Sequence, residues 1–555
     1  MKNKNNRNIK VFALGGQGEL GKNMYVAEIG DQIFVMDAGL MFPEDEMLGI
    51  DVVIPDISYL AENEEKIQGI FISHGHEDHI GALPYILKYI NVPIYGTKLS
   101  LELLKLKLKE VKFKGKANLQ VVDHTTELSF QSIKVSFFKT NHSIPGSLGI
   151  SLHTKQGCIV YTGDFKFDQT ASALYAADIG KIAQLGEEGV LLLLSDSTNA
   201  EKPGYTGTEE TVEKDMIDTL TRSRGRVIIT TFASNINTIQ HTVNAAYKSK
   251  RKVIIVGNEI RQIFDICLQT GNLHVEEDVV IPIQDAGKYK NHELVILLSG
   301  AKGEPISAME KLAKGNQRQV QLQEDDSVVI AALPVRGGEL HMSRAIDQLY
   351  RTGANVVYGN KALYVGGHGS QEELKMMINL LKPEYMMPVH GEYRMLRSHA
   401  KVAKQCGIPE DHIMIAENGE IVEIAENRIR STSKVTAGNI LIDGSGIGDV
   451  GNIVLRDRRL LSQDGILIVV VTLDRATKSI IAGPEIISRG FVYVRESEKL
   501  MDKSVALVKE TVEKNVNSEN FDWSSLKQNI RESLHSHLYE VTKRRPMIMP
   551  IIMEY

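Results

Sequence analysis

Residues 10–100 alternate short apolar runs with glycine and aspartate turns: VFALGG, MYVAEIG, QIFVMDAG, GIFISHG and VPIYG. Runs this short, bounded by turn residues, predict strands, with a hairpin turning at Gly30-Asp31. Residues 83–89 and 99–109 carry helical spacing, and strands return over 117–164 (LQVVD, IKVSFFKTN, LGISLHT, CIVYTGD). This front section predicts two layers of sheet with helices outside. From 209 the texture changes to a βαβ rhythm. Helices at 208–221, 236–248 and 343–351 are interleaved with RVIITTF, KVIIVG, LVILLSG, SVVIAAL and NVVYG. A parallel sheet with crossover helices is the economical reading of 209–361. Helices at 370–381 and 392–406 then flank the strand EYMMPVHG. The glycine- and aspartate-rich stretch 430–460 predicts a linker. A small α/β unit follows from 461, with ILIVVVTL, FVYVRES, two helices and a closing strand in PMIMPIIMEY.

Composition narrows the class. At about 150 residues per domain, 555 residues predict three to four domains. The apolar run 465–473 is far short of the ~20 residues a membrane helix needs, and the polar start has no apolar stretch of a secretory signal. Cys158, Cys267 and Cys406 lie far apart, which excludes a metal knuckle or disulfide framework and suits a reducing cytosol. A net charge of −6 excludes wholesale electrostatic capture of nucleic acid, so any such binding needs a local basic groove. Runs at 105–116 (including Lys107), 222–226 and 248–252 are candidates for one.

Gly16-Gln17-Gly18-Glu19-Leu20-Gly21, with Asp37 downstream, matches a dinucleotide-binding fingerprint. That fold needs a helix between the glycines and the acid. Residues 23–37 alternate as a hairpin instead, so the glycines predict a tight strand-to-strand crossing.

The strongest chemical signal is His74-Gly75-His76-Glu77-Asp78-His79, directly after the strand GIFIS. His74 and His76 can project to one side while Asp78 and His79 turn to the other, which divides them between two cations. Imidazole with carboxylate suits zinc, with manganese or iron as competitors. Two metals need further ligands, and His142, Asp164 and His390 each follow an apolar strand.

HxHxDH, a later lone histidine, the aspartate of TGD and a distal histidine resemble the metallo-β-lactamase hydrolase pattern. The segment inserted between Asp164 and His390 resembles the β-CASP nucleases. Over essentially the whole chain the sequence is similar to the bacterial ribonuclease J family, on LGIDVVIPD, HGHEDHIGA, TNHSIP, TGDFKFD, SDSTNAEKPG, FASNI, GGHGSQEE, PVHGEYRM, GNIVLRDRRLLS and TKRRPMI. The resemblance implies an α/β fold: a metallo-β-lactamase αββα sandwich from 1–208 and 362–430, with a Rossmann-like β-CASP domain at 209–361. A linker at 431–460 would lead to a C-terminal oligomerisation domain at 461–555.

It further implies that His74, His76 and His142 hold one Zn2+, and Asp78, His79 and His390 a second, with Asp164 bridging. Mn2+ or Mg2+ are possible substitutes. Asp196, His368 and His390 fall on the family's motifs A, B and C, and a histidine at motif C goes with RNA rather than DNA. Asp37 takes a supporting role. The metals would activate water, with His368, oriented by Asp196, as acid for the leaving 3′-oxygen; Asp78 completes the catalytic set.

Phe232, Ala233, Ser234 and Asn235, and Tyr364, Val365, Gly366, Gly367 and His368, match nucleotide-binding loops. Glycine-rich loops at helix starts suit phosphate. Gly366 departs from the family, which often has serine there, and GAKGEP near 301 stands where GSQGEP is common. The implied activity is 5′-3′ exonucleolytic and endonucleolytic cleavage in RNA maturation and mRNA decay. The implied partners are single-stranded RNA with a 5′-monophosphate, and a homodimer, homotetramer or paralogous subunit. The alternative is a weakly active or non-catalytic subunit that stabilises an active paralogue.

Overall fold

The hairpin residues 24–36 show how the pattern becomes structure. Strands Met24–Ile29 and Gln32–Met36 pair antiparallel about Gly30-Asp31, so no helix separates the glycines from Asp37. The computed structural model describes residues 8–300, 303–333, 338–359, 363–426, 428–444, 446–492, 497–517 and 521–555. The chain divides into two units, Met1–Phe42 with Val52–Ile440, and Pro43–Asp51 with Leu441–Tyr555.

In the first unit an eight-stranded and a six-stranded sheet face each other. Val11, Tyr25, Phe34 and Phe71 of one sheet pack on Phe137, Ile150, Tyr161 and Leu194 of the other in a single buried cluster. The outer face of the six-stranded sheet is covered by Ile179–Glu188, Gln371–Leu381 and Tyr393–Gln405, which bury Ile182, Leu374, Met377 and Val402 against Phe138, Val160 and Leu193. Two sheets each hiding a second face under helices give the expected αββα sandwich. In the six-stranded sheet, Ile133–Lys139, Gly157–Tyr161, Val190–Asp196 and Tyr385–Val389 run the same way, so the residues after them emerge at one edge.

The inserted segment forms the expected parallel sheet, in the order Lys252–Val256, Leu294–Leu298, Val227–Thr230, Ser327–Ile330, Asn355–Val357. Its strands read as continuous apolar runs because helices cover both faces. In the second unit, Ile466–Leu473 pairs antiparallel with Ile480–Arg489 and parallel with Met547–Glu554. Glu498–Val516 and Trp523–Thr542 cover one face with Val508, Val512, Ile530 and Leu534. No helix among the described residues is long and apolar enough to cross a membrane.

One expectation needs correction. The stretch 431–460 is largely regular: strand Arg428–Lys434, strand Asn439–Asp443 and helix Asn452–Asp464 occupy most of it. Its glycines serve turns and a helix start rather than a free linker; Gly444 has a positive φ of 57° after the strand, and Gly451 is the N-cap. Arg458 donates to Asp443 and to the Leu48 carbonyl. The strand expected at FVYVRES lies largely at residues 493–496, outside the described residues. A strand the pattern did not suggest is Ile480–Arg489, whose Gly483-Pro484 pair broke the apolar alternation.

Candidate metal centre

The loop 74–79 leaves Ile67–Phe71, and four more functional positions leave the common edge of the facing sheet: His142, Asp164, Asp196 and His390. Backbone pairing locks the loop in place. Asn23 N–H donates to the Asp78 carbonyl, Ala38 N–H to that of His79 and Leu40 N–H to that of Glu77. A Cβ on Gly39 would lie 1.6 Å from the Asp78 carbonyl oxygen. Gly39→Ala is therefore expected to displace the loop and cost about 1–3 kcal/mol or more, read as a lowered thermal unfolding midpoint.

Three imidazoles converge. His74 Nε2 and His142 Nε2 lie 3.0 and 3.1 Å from His76 Nδ1. His142 Nδ1 donates to the Gly367 carbonyl at 2.7 Å, so its neutral ring presents a bare Nε2 to the cluster. Burial first, then repulsion among the rings, holds His74 well below its usual pKa and His142 down at about 3; burial also lowers His76. Three ring nitrogens converging this closely from neutral imidazoles suit a cation.

A second group is Asp78, His79, Asp164 and His390, whose ligand atoms lie within 4.8 Å of one another. Asp164 Oδ2 faces both groups, at 3.2 Å from His79 Nε2 and 3.6 Å from His74 Nε2 and His142 Nε2, while Oδ1 lies 2.8 Å from His390 Nδ1. Burial would depress His79 and His390, but the surrounding carboxylates, Asp164 foremost, outweigh it and raise both. The donor set fits two divalent metals.

Supporting contacts orient these rings. Buried Asp37, at a left-handed φ of 62°, accepts from Ser73 N–H and Oγ, Tyr161 hydroxyl and His79 Nδ1 at 2.7–2.8 Å. That leaves His79 Nε2 toward Asp164. His368 Nδ1 lies 2.7 Å from Asp196 Oδ2, and Asp196 is itself held by Thr198 N–H and Oγ1. Burial opposes a charge on His368, but Asp196 and Asp164 prevail and raise it to about 9.

A cavity of about 320 Å³ opens on the centre, lined by His76, Asp78, His142, Asp164 and His368 and by both expected loops, through Phe232, Ala233, Ser234, Asn235, Tyr364 and Gly367. The loops differ in what they offer. Ala233 N–H donates to the Gly303 carbonyl and Asn235 N–H to that of Phe232, while the Asn235 side chain caps the helix Ile236–Lys248 through Thr238 N–H. The N–H groups of Gly366, Gly367 and His368 donate to no acceptor among the described residues. Val365 packs near Gly207, away from the cavity lining, and a Cβ on Gly366 would meet only Asn199 Nδ2 at 3.6 Å. Space for serine exists there.

Four matches to known families cover most of the chain. They are the metallo-beta-lactamase superfamily (18–184), the ribonuclease J beta-CASP domain (224–349), the Zn-dependent metallo-hydrolase RNA specificity domain (360–414) and the ribonuclease J C-terminal domain (453–555). Ribonuclease J2 of Bacillus subtilis (strain 168) is 51% identical over 100% of both chains. The chain belongs to the ribonuclease J family. Ribonuclease J 2 of Staphylococcus aureus (strain MRSA252) is 47% identical over 99% of each chain. A solved protein of unknown function from Enterococcus faecalis V583 shares the fold, with a TM-score of 0.55 and 15% identity over 75% of this chain and all of that one. Membership makes the chain a metal-dependent ribonuclease with RNA as its substrate class.

Several contributors escaped the sequence pattern. Asn23 Nδ2 lies 3.2 Å from His79 Nε2, and Tyr25 hydroxyl donates to Asn23 Oδ1 while accepting from His390 N–H. Tyr25 sits in an ordinary hairpin strand and Asn23 just before it, with no local motif. Three members of the basic runs are tied up internally: Arg226 pairs with Asp326, Arg251 donates to the carbonyls of Ser223, Gly225 and Leu294, and Lys107 is enclosed by glutamates; Lys105, Lys109, Lys112, Lys114, Lys116, Arg222, Arg224, Lys248 and Lys250 stay exposed.

Proposed function

We propose that the chain is a two-zinc ribonuclease that degrades single-stranded RNA from a 5′-monophosphorylated end and also cuts internally. The carrying observation is one carboxylate, Asp164, set between two convergent ligand groups, with the His368–Asp196 pair and both loops on the same cavity. In this reading His74, His76 and His142 hold one metal and Asp78, His79 and His390 the other, with Asp164 bridging. Bound metals would lower the pKa of the attacking water and neutralise charge on the scissile phosphate. The chain's own residues do the rest. Asp37 fixes the tautomer of His79, and Gly367 that of His142. His368, kept protonated by Asp196, gives its proton to the leaving 3′-oxygen. The N–H groups of residues 366–368 would hold the terminal phosphate, with Ser234 across the cavity. Each cleavage leaves a new 5′-monophosphate, so the product end is again a substrate.

We place the domain limits at 1–208 with 362–430, 209–361, and a C-terminal assembly domain from 461, in a cytoplasmic homo-oligomer or a complex with a paralogue. A second reading, a weakly active subunit of such a complex, is favoured by Gly366, which removes a hydroxyl from the phosphate loop. Decay of 5′-monophosphorylated and 5′-triphosphorylated RNA of the same sequence tests the choice. The exonuclease reading expects the triphosphate to slow decay from the end and spare internal cuts. Equal rates from both ends would sink the pocket, and negligible decay of either would favour the subunit reading.

Acid should unload the two sites in order. Histidines must be neutral to ligate. His74, His76 and His142 lie below the ordinary imidazole pKa, so protons displace metal from them only at low pH. His79 and His390 lie above it and take protons first as pH falls. A pH titration followed by elemental analysis should pass through a one-metal plateau; simultaneous loss would contradict the assignment.

A further inference from the structure

Lys107 sits where three elements meet. Its Nζ lies 2.6 Å from Glu77 Oε1, 3.1 Å from Glu259 Oε1 and 3.5 Å from Glu110 Oε2, and its side chain is only 19% exposed. Glu77 is the residue between His76 and Asp78 in the metal loop. Glu259 opens the helix Asn258–Thr270 of the inserted domain. Its carboxylate lies against Gly303, where a Cβ would meet Glu259 Oε1 at 3.3 Å and the Ala233 side chain at 3.0 Å. Gly303 in turn accepts from Ala233 N–H at 2.9 Å. Glu77, Lys107, Glu259 and Ala233 all line the cavity of the metal centre. One ammonium thus ties the metal loop to the loop at 232–235 across the seam between the two domains.

We infer that Lys107 is a positioning residue that, by holding Glu77 and Glu259 together, sets the gap through which an RNA end reaches the metals. The inference rests on the proposed reading of the cavity as the RNA site. Without the lysine, two half-buried carboxylates bound to one nitrogen would face each other unpaired, and their repulsion would part the seam rather than merely loosen it. A phosphate-tracking role is excluded for this lysine, since three carboxylates already surround its charge.

The test is a double-mutant cycle on the full-length, zinc-loaded chain, with kcat and KM measured separately on a 5′-monophosphorylated oligoribonucleotide. Lys107→Met and Glu259→Lys each leave like charges across the seam, and each is expected to lower kcat/KM about tenfold with both metals retained. In the double variant the amine introduced at 259 can reach Glu77, and kcat/KM is expected to recover to within about threefold of the wild type. Losses that add in the double variant would overturn the inference. So would an unchanged Lys107→Met, or a loss of activity that tracks loss of metal. If a single variant fails to fold, recovery of a cooperative thermal transition in the double variant supports the same pairing, and its absence opposes it. A wild type inactive on this RNA would instead overturn the functional reading, and the inference with it.

Discussion

Asp164→Ala is expected to abolish RNA hydrolysis, by about 10³-fold or more, and to strip metal from both sites rather than one. The reason is geometric. Asp164 Oδ2 lies within 3.6 Å of ring nitrogens from both groups, and Oδ1 takes His390 Nδ1 at 2.8 Å. No other carboxylate among the described residues does this: Asp78 reaches His79 and His390, and Asp196 holds His368 and Thr198 and approaches only His390 of the two groups, at 3.9 Å. Removal also leaves several buried imidazoles without their shared anion. His79 and His390 are held above their ordinary pKa chiefly by that carboxylate, so both should titrate lower in the variant. Metal content by elemental analysis and imidazole titration by NMR check the two halves of this expectation separately. Two metals retained in the variant would refute the bridge.

The second large effect is His368→Ala. Loss of a positioned general acid costs about 10²–10⁴-fold in kcat. In the proposed reading this ring is not a metal ligand: its Nδ1 is taken by Asp196 at 2.7 Å, although it also stands within 4.8 Å of ligand atoms of Asp164 and His390, and its side chain is 23% exposed. Metal content should therefore be unchanged and KM little altered. The sign of the pH dependence follows from the raised pKa. His368 is the protonated acid below about 9 and loses that form as pH rises through it. Wild-type kcat should fall on that alkaline limb, and the limb should vanish in the variant. Full turnover by His368→Ala with intact metals would remove it from the mechanism.

Both residues could be named from sequence because the chemistry is concentrated. Four candidate ligands stand within six residues after an apolar strand, and His142, Asp164 and His390 each follow another. Period-two alternation likewise gave the hairpin at Gly30-Asp31 and excluded the dinucleotide fingerprint. What was not legible depends on pairings between distant positions. Asn23 and Tyr25 reach the centre from the start of a strand whose pattern reports only burial. Lys107 looked like one of a basic run, yet its partner Glu259 is 152 residues away. Glycine density at 430–460 suggested a linker because tight turns and flexible chain share a composition. Gly483-Pro484 hid a strand for a related reason, since neither residue belongs to the usual strand vocabulary. The loop at 232–235 matched a phosphate motif, but its N–H groups at Ala233 and Asn235 are already spent on carbonyls. Motif spacing carries no information on that.

The most direct test of the account is hydrolysis of a 5′-monophosphorylated RNA by metal-free chain titrated with zinc. Two ligand groups sharing Asp164 predict negligible activity through the first equivalent and a rise to a plateau at two equivalents per chain. Full activity at one equivalent, or activity in the metal-free chain, would contradict it.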